Sequence, residues 1–289
     1  SSKRLKLILI LIVSLMSFIT LDYEAIVYGD EEVQKISIVH TNDIHGRVKE
    51  DESSIGMTKL GTIIKELKDK KSKDVLVLDA GDTIHGLPIV GISRGEAMID
   101  IMNVANYDAM VPGNHDFNYG QERLVELSKK ANFPIIGANI YKQNGERLLK
   151  PYIVKEMNGV KVGVFGLSTP ETAYKTNPKN VEGLEFRSPL KEAKIMVEEL
   201  KNKENVDIIV ALTHLGLDGS TDEESRSDEI AKQVEGIDII VDGHSHTTLE
   251  QGKKVNNTLI VQTGDHTKNI GIVNLKVNKD NEKNKVLSE

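Results

Sequence analysis

Cysteine is missing from the sequence, and so is tryptophan. Without cysteine the fold cannot depend on disulfide bonds, and thiolate is excluded as a metal ligand. Any metal site must therefore use carboxylate, imidazole and amide groups, whose oxygen and nitrogen atoms suit Zn, Mn or Fe.

An excess of positive charge is also missing, since the formal net charge is -7 at pH 7. Acidic and basic residues are interspersed along the chain, so its charge gives no support to a nucleic-acid-binding surface. A small anionic substrate is still compatible with this charge, because bound divalent ions can reverse the electrostatic field locally.

The rest of the composition indicates an ordinary globular chain of 289 residues, 39% hydrophobic and 28% charged. These values are typical of one large domain with its own core, and they differ from those of disordered or fibrous chains. No internal repeat is visible in the sequence.

The amino-terminal segment has the layout of a secretory signal peptide. Three basic residues, Lys3, Arg4 and Lys6, precede an apolar run over residues 7–19 that only two serines interrupt. That run is shorter than the roughly 18 to 20 apolar residues needed to span a bilayer, so a cleaved signal is favoured over a retained anchor. We therefore expect residues 1–29 to be removed from a secreted, periplasmic or cell-surface protein whose mature form, residues 30–289, has no stable membrane span.

From residue 35 onward the hydrophobic pattern alternates between strands and helices. The pair Asn158-Gly159 lies between two apolar runs and indicates a β-hairpin inserted into this series. We expect mixed sheets covered by helices, with polar motifs at strand ends, where open α/β folds bind ligands. Predicted strands cover residues 35–40, 75–80, 109–111, 135–138, 153–156, 160–166, 206–212, 237–241, 258–262 and 270–277, and predicted helices cover residues 59–70, 95–104, 121–131, 190–203 and 229–234.

Five short polar segments follow these predicted strands and carry most of the histidines. In the first, Asp43 and His45 are two residues apart, so in an extended chain both side chains would leave from the same side and bind one ion. In the second, Gly81 lets the backbone turn and presents Asp82, a carboxylate able to bridge two cations.

The third segment, Gly113-Asn114-His115-Asp116, indicates two different roles. Side chains of successive residues cannot point at the same metal, so Asn114 would bind metal through its amide oxygen. His115 would then face the substrate as a hydrogen-bond donor or general acid.

The last two segments add three histidines. His214 follows strand 206–212, and His244 and His246 follow strand 237–241. Each segment alone has an ordinary structural explanation, because Gly-Asp and Gly-Asn pairs favour turns and single strand-end histidines are mostly structural. Five such segments at one sheet edge favour a dinuclear metal site over coincidence.

The motifs HTNDIHG at residues 40–46 and GNHDFNYG at residues 113–120 resemble the signature blocks of calcineurin-like metallophosphoesterases. Within that family they are most similar to the bacterial 5'-nucleotidase branch, which includes UDP-sugar hydrolases and 2',3'-cyclic-nucleotide phosphodiesterases. The resemblance covers residues 36–277. It implies a four-layer α/β/β/α sandwich of two mixed sheets flanked by helices, with residues 30–289 as the catalytic domain.

The resemblance also implies two divalent metal ions (Zn, Mn, Fe or Co) bridged by Asp82. Water activated by both metals would attack phosphorus in line, and His115 would protonate the leaving oxygen or stabilise the transition state. The expected partner is a nucleotide or another small phosphate ester. One metal would be held by Asp43, His45, Asp82 and His246, and the other by Asp82, Asn114, His214 and His244.

The residue beside the expected catalytic histidine departs from the family pattern, because many 5'-nucleotidases have Asp where this chain has Asn118. Asn118 can accept a hydrogen bond from His115 but contributes no charge to it. Asn at this position resembles the 2',3'-cyclic-nucleotide phosphodiesterase/3'-nucleotidase members, so that substrate class stays open beside the 5'-nucleotidases and UDP-sugar hydrolases.

Family members usually carry a second, carboxyl-terminal domain that stacks the base and holds the substrate. We expect that domain to be absent here, because the sequence ends shortly after strand 270–277. The sequence is then either a fragment of a two-domain protein or a one-domain hydrolase with loose specificity. The aromatic content of 4% agrees with a missing base-stacking platform. A metal-binding surface module without catalysis is the non-enzyme alternative.

Overall fold

Five strands form the first sheet of the computed structural model, which describes residues 33–70 and 74–279 and the backbone of residues 286–288. Strands β1 (Val33–Thr41), β2 (Val75–Asp79) and β3 (Ala109–Met110) are parallel. Strand β12 (Gly271–Asn278) pairs antiparallel with β1, and β13 (Val286–Ser288) pairs antiparallel with β12. The sheet is therefore mixed, while the predicted signal peptide lies outside the described residues.

The second sheet has six strands in the order β10-β11-β9-β8-β6-β5. Strands β6, β8, β9 and β11 are parallel, and both edge strands are antiparallel. The predicted hairpin is confirmed, because Met157 pairs with Val160 across Asn158 and Gly159, whose φ angles are 47° and 74°. The strands are β5 (Tyr152–Met157), β6 (Val160–Ser168), β8 (Ile208–His214), β9 (Ile239–Val241), β10 (Lys253–Val255) and β11 (Thr258–Val261).

Helices cover the outer faces of both sheets. Helices α1, α3 and α4 bury apolar residues in a cluster with the first sheet, and α6 and α7 do so with the second. The described helices are α1 (Met57–Lys70), α2 (Pro88–Ile92), α3 (Glu96–Val104), α4 (Gln121–Lys130), α5 (Thr172–Lys175), α6 (Pro189–Asn202) and α7 (Ser227–Gln233), with short 3-10 helices at His115–Phe117, Pro178–Val181 and Glu223–Ser225.

A third apolar cluster lies between the two sheets and contains side chains of both, such as Ile38 and Leu78 from the first and Val164 and Val210 from the second. These residues alternate along their strands with those that face the helices. The layers are thus helix, sheet, sheet and helix, which confirms the predicted four-layer architecture with two mixed sheets.

Two parts of the chain differ from the sequence-based prediction. Residues 135–138 were predicted as a strand, but Ile135 and Ile136 form only isolated bridges, to Met110 and Lys150. The neighbouring strand β3 has only 2 residues, so it cannot form a continuous ladder of hydrogen bonds with this segment. A small antiparallel sheet of β4 (Ile140–Lys142) and β7 (Leu184–Phe186) was not predicted, because both strands are short.

Among the described residues, no helix is both long and apolar enough to cross a membrane.

Candidate metal centre

The predicted ligands lie at the carboxyl ends of parallel strands in both large sheets. Asp43, Asp82 and Asn114 follow β1, β2 and β3 of the first sheet. His214 is the last residue of β8, and His244 comes shortly after β9 in the second sheet. Because the sheets pack face to face, loops from both of them meet at one end of the sandwich.

The first group of ligand atoms, the Asp43 cluster, consists of Asp43, His45 and His246. Nε2 of His246 lies 3.3 Å from Oδ1 of Asp43 and 3.3 Å from Nε2 of His45. Nε2 of His45 lies 3.8 Å from the same carboxylate oxygen. Ligands about 2.1 Å from a tetrahedral metal lie about 3.4 Å apart, so this spacing suits one cation.

The second group, the Asp82 cluster, consists of Asp82, His214 and His244. Nε2 of His214 lies 3.2 Å from Oδ2 of Asp82. Nδ1 of His214 lies 2.6 Å from the carbonyl oxygen of Ala80 and donates its proton there. In the neutral ring this contact fixes the tautomer, so that Nε2 has the lone pair that a metal requires.

Asp82 belongs to the second cluster and also lies close to the first. Its Oδ2 is 3.2 Å from Nε2 of His214 in one cluster and 4.0 Å from Nε2 of His45 in the other. Its Oδ1 accepts a hydrogen bond of 2.8 Å from the backbone N–H of His115. This arrangement is compatible with the predicted bridging role of the carboxylate.

Three buried polar atoms of the predicted ligands have no hydrogen bond of acceptable geometry: Oδ1 of Asp43, Oδ1 of Asn114 and Nε2 of His214. A buried polar atom without a partner costs about 1–3 kcal/mol, so such atoms normally bind something. All three carry lone pairs and none has to donate a proton. The residues present therefore fit divalent cations.

The backbone at the ligands is unusual. Asp43, His45, Asp82, His244 and His246 have φ angles of 50°, 48°, 56°, 78° and 54°, all in the left-handed region. The expectation that Asp43 and His45 share a side because the chain is extended is therefore wrong, although their side chains do meet. Each such residue costs roughly 1–3 kcal/mol, a strain that is concentrated at functional sites.

Glycines allow the ligand loops to approach one another closely. A Cβ on Gly113 would lie 2.2 Å from Oδ1 of Asp82, and one on Gly243 would lie 2.9 Å from Oδ2 of Asp43. Real atoms do not approach to the first of these distances without displacement. Gly113 therefore leaves the space that the Asp82 carboxylate occupies.

Asp116, to which the sequence alone assigned no role, holds the Asp82 loop. Its buried carboxylate accepts hydrogen bonds from the backbone N–H groups of Asp82 and Gly113, at 2.8 and 2.7 Å. It also accepts from those of Thr83 and Ile84, at 2.9 and 3.0 Å. A carboxylate with four backbone donors fixes the turn that presents Asp82.

Asp242 plays the same part in the second sheet and was also missed. Its buried carboxylate accepts from the hydroxyls of Thr213 and Ser227, at 2.8 and 2.7 Å. It also accepts from the backbone of Leu215 and Gly216, at 3.0 and 3.1 Å. The loops that follow β8 and β9 are thereby tied together.

His115 lies beside the clusters and contacts Asn118 through its ring. Nδ2 of Asn118 is 3.1 Å from Nδ1 of His115, and Oδ1 of Asn118 accepts a 2.8 Å hydrogen bond from Thr176. The expectation that Asn118 accepts from His115 is therefore wrong, because its amide nitrogen donates to the ring. Nδ1 is an acceptor, and Nε2 carries the proton of the neutral ring.

A comparison with protein families gives one match over most of the chain. The calcineurin-like phosphoesterase description matches residues 36–248. The chain belongs to this family. The predicted family is confirmed, and with it the assignment to metal-dependent phosphoesterases.

Curated relatives of this phosphoesterase include a 5'-nucleotidase and a protein named UshA. It is 37% identical over 225 residues to a 5'-nucleotidase of Vibrio cholerae, an alignment that covers 74% of this chain and 41% of the relative. It is 36% identical over 231 residues to the protein UshA of Yersinia enterocolitica, covering 76% of this chain and 42% of the relative. The chain thus spans about two fifths of the length of these relatives.

A solved structure has the same fold over most of both chains. The calcineurin-like phosphoesterase YfkN of Bacillus subtilis superposes with a TM-score of 0.74 at 28% identity, covering 85% of this chain and 86% of the other. This similarity confirms the fold of the phosphoesterase domain.

Burial and neighbouring charges set the protonation of the ligands in this phosphoesterase. Burial lowers the pKa of His45 to about 4 and that of His244 to about 4, so both rings are neutral at pH 7. Burial also acts to lower the pKa of His214, but the adjacent Asp82 and Asp43 carboxylates raise it to about 10. Burial acts to raise the pKa of Asp82, but the adjacent His214 imidazole, with smaller effects of His45 and His115, holds it well below its usual range.

An open cavity of about 670 Å³ adjoins His115. The ring of His85 stacks on that of His115, with centroids 5.2 Å apart and planes inclined by 10°. Lys175 at the end of α5 supplies a cationic side chain that the sequence reasoning missed. The cavity is lined by His85, Gly86, Gly91, His115, Asn118, Tyr119, Lys175, Thr176, Asn177 and Asn180.

Proposed function

We propose that this phosphoesterase hydrolyses nucleotide phosphate esters with two divalent metal ions, in the manner of a 5'-nucleotidase. The observation that carries the proposal is the pair of three-residue clusters. Asp82 of the second cluster also approaches His45 of the first, and His115 lies beside them. The names of the relatives support a nucleotide as substrate. The identity of the metals, Zn, Mn, Fe or Co, stays open.

The proposed ligands follow the two clusters. The Asp43 cluster and Asp82 would hold one ion, and the Asp82 cluster with Asn114 would hold the other. Asn114 is included because its Oδ1 is buried without a hydrogen bond, as are Oδ1 of Asp43 and Nε2 of His214. All seven predicted ligands are thus retained in the proposal.

The ions, when bound, would supply a nucleophilic water and neutralise charge on the phosphoryl oxygens. The residues of the chain have separate tasks. Asp82 would contribute to both metal positions, and its Oδ1 fixes the backbone of His115. Because Nδ1 of His115 accepts from Asn118, the ring presents its Nε2–H as the donor to the leaving oxygen.

The leaving group is proposed to enter the cavity beside His115. Its volume of about 670 Å³ is within the range of small-molecule sites. Amide, hydroxyl and ammonium groups of Asn177, Asn180, Thr176 and Lys175 line it. Such a wall suits a sugar or another hydrogen-bonding group better than an apolar one.

A second substrate class is favoured by one residue. Asn118 donates to His115 where a carboxylate would accept, and an amide at this position resembles 2',3'-cyclic-nucleotide phosphodiesterase/3'-nucleotidase members. UDP-sugar hydrolysis is the third candidate within the same chemistry.

Export is also proposed. It is supported by the basic residues followed by an apolar run in residues 1–29. Amino-terminal sequencing of protein recovered outside the cytoplasm should begin near residue 30, and protein that keeps the apolar run would contradict a cleaved signal.

Turnover of AMP, 3'-AMP, 2',3'-cyclic AMP and UDP-glucose should be measured side by side with Mn, Co or Zn present. We expect AMP to be hydrolysed fastest by a 5'-nucleotidase, and the cyclic substrate fastest by the alternative. No turnover of any of the four with any metal would exclude the whole class.

The variant His115→Ala separates an enzyme from a metal-binding module. We expect turnover to fall about 10²- to 10⁴-fold, because a positioned proton donor is lost, while metal content stays unchanged. Gly219→Ala is the matched control, since a Cβ at this residue has no neighbour within 4 Å. Equal activity of His115→Ala and wild type would contradict the assigned role.

A further inference from the structure

We propose that Glu171 is a positioning residue for the Asp82 cluster. It holds Nε2 of His244 so that Nδ1 of the same ring is presented to a cation. This inference rests on the metal site of the proposed function but not on its substrate. Neither Glu171 nor the segment that carries it was among the predicted site residues.

The contact between Glu171 and His244 is short and buried. Oε2 of Glu171 lies 2.8 Å from Nε2 of His244, and the two side chains are 7% and 6% exposed. A carboxylate at this distance can only accept, so Nε2 of His244 carries the hydrogen. Nδ1 is then the nitrogen whose lone pair is left for a metal.

Lys175 contacts the same carboxylate oxygen. Its Nζ lies 2.7 Å from the same Oε2 of Glu171 and 3.2 Å from Nε2 of His244. Since an ammonium has no lone pair, it cannot accept from the imidazole. Lys175 therefore fixes Glu171, and Glu171 in turn orients His244.

The main chain places Glu171 for this contact. It caps the amino-terminal end of α5, where its carbonyl oxygen accepts from the backbone N–H of Lys175 at 2.7 Å. The preceding loop follows β6, which pairs with β8, the strand that ends in His214. A sixth strand end thus contributes to the metal centre, through a carboxylate outside the ligand set.

The other histidine of the Asp82 cluster has an equivalent support from the backbone. Nδ1 of His214 donates to the carbonyl oxygen of Ala80, as Nε2 of His244 donates to Glu171. In each ring one nitrogen is therefore held by the protein and the other is left for a metal. Ligand histidines held in this way have a fixed tautomer and ring orientation, and losing such a partner typically lowers metal affinity about 10- to 100-fold.

The test is Glu171→Gln, which keeps the size of the side chain and removes its charge. We expect calorimetric titration of the metal-free protein with Mn²⁺ to show one of the two ions bound about 10- to 100-fold more weakly and the other unchanged. The unfolding midpoint of the metal-free variant should equal that of the metal-free wild type. A purely structural role would instead lower that midpoint without weakening one ion selectively.

Glu146→Gln is the matched control, because Glu146 also pairs with a lysine, Lys142, at 2.8 Å. Its side chain is exposed, and its hydrogen-bond partners, Lys142 and Asn144, belong to neither cluster. It should bind both ions as the wild type does. If Glu171→Gln binds both ions as tightly as this control, the proposal is wrong. Two-ion binding by a wild type that hydrolyses no phosphate ester would refute the proposed function and leave the role of Glu171 intact.

Discussion

Individual residues at the metal centre carry conformations that a sequence does not display. Five predicted ligands, Asp43, His45, Asp82, His244 and His246, have positive φ angles. An L-residue adopts this conformation at a cost, and the surrounding hydrogen bonds must compensate for it. Asp116 is one such support, because it binds the backbone N–H of Asp82 directly.

Gly113 offers a test at this scale. In Gly113→Ala the new methyl group would overlap the Asp82 carboxylate, whose Oδ1 lies 2.2 Å from the added Cβ position. We expect the carboxylate to be displaced and metal content to fall by at least one equivalent, as measured by elemental analysis after gel filtration. The φ angle of Gly113 is not in the left-handed region, so the effect is steric.

The comparison for this variant is Gly219→Ala, which adds the same methyl group in open space. It should retain the metal content of the wild type. Full metal content in Gly113→Ala would show that the Asp82 loop can shift without losing the site.

At the scale of elements, the centre is built from loops that follow parallel strands. Elements with a clear apolar period were predicted within a few residues, for example β2 (Val75–Asp79) and α6 (Pro189–Asn202). The bridges at Ile135 and Ile136 and the small β4-β7 sheet were not. Short segments have too few residues to show a period, so tertiary contacts decide their conformation.

Asp242 ties the loop after β8 to the loop after β9, so its replacement should destabilise both loops. In Asp242→Asn an NH₂ group would replace one oxygen and face hydrogen-bond donors such as Ser227 and Gly216. We expect the free energy of unfolding, measured with urea in the presence of a chelator, to fall by about 2–4 kcal/mol. Metal retention should fall as well, since the first loop begins directly after His214 and the second carries His244.

Asp218→Asn is the control for this prediction. Asp218 lies in the neighbouring loop and is exposed, and its carboxylate accepts from the backbone of Ser220 at 2.9 Å. Its replacement should change stability by less than about 0.5 kcal/mol. An equally small effect of Asp242→Asn would mean that these loops are held by other contacts.

In the described part of the chain, the two large sheets share an apolar core beneath the metal centre. The Asp43 cluster contains residues from both sheets, since Asp43 follows β1 and His246 follows β9. A bound ion would therefore connect the sheets at one end of the sandwich, in addition to the apolar contacts between them.

Removal of the metal ions should destabilise the folded protein. A ligand that binds only the folded state at 100 times its Kd adds about 2.7 kcal/mol per site. We expect a chelator to lower Tm by roughly 5–10 °C for each ion removed in a calorimetric scan, and Mn²⁺ in excess to restore it. In Asp82→Asn this difference should shrink, because both ions lose a ligand. An unchanged Tm on chelation of the wild type would contradict metal binding in the folded protein.

The alternation of strands and helices, the family and the seven residues with ligand chemistry can be read from the chain alone, because hydrophobic period and side-chain type are local properties. The grouping of the ligands into clusters, the hydrogen bond from Asn118 to His115 and the contact of Glu171 with His244 depend on the folded structure. Glu171 and His244 are 73 positions apart, and His45 and His246 are 201 apart. Contacts at such separations depend on the packing of two sheets, for which no local pattern in the chain exists.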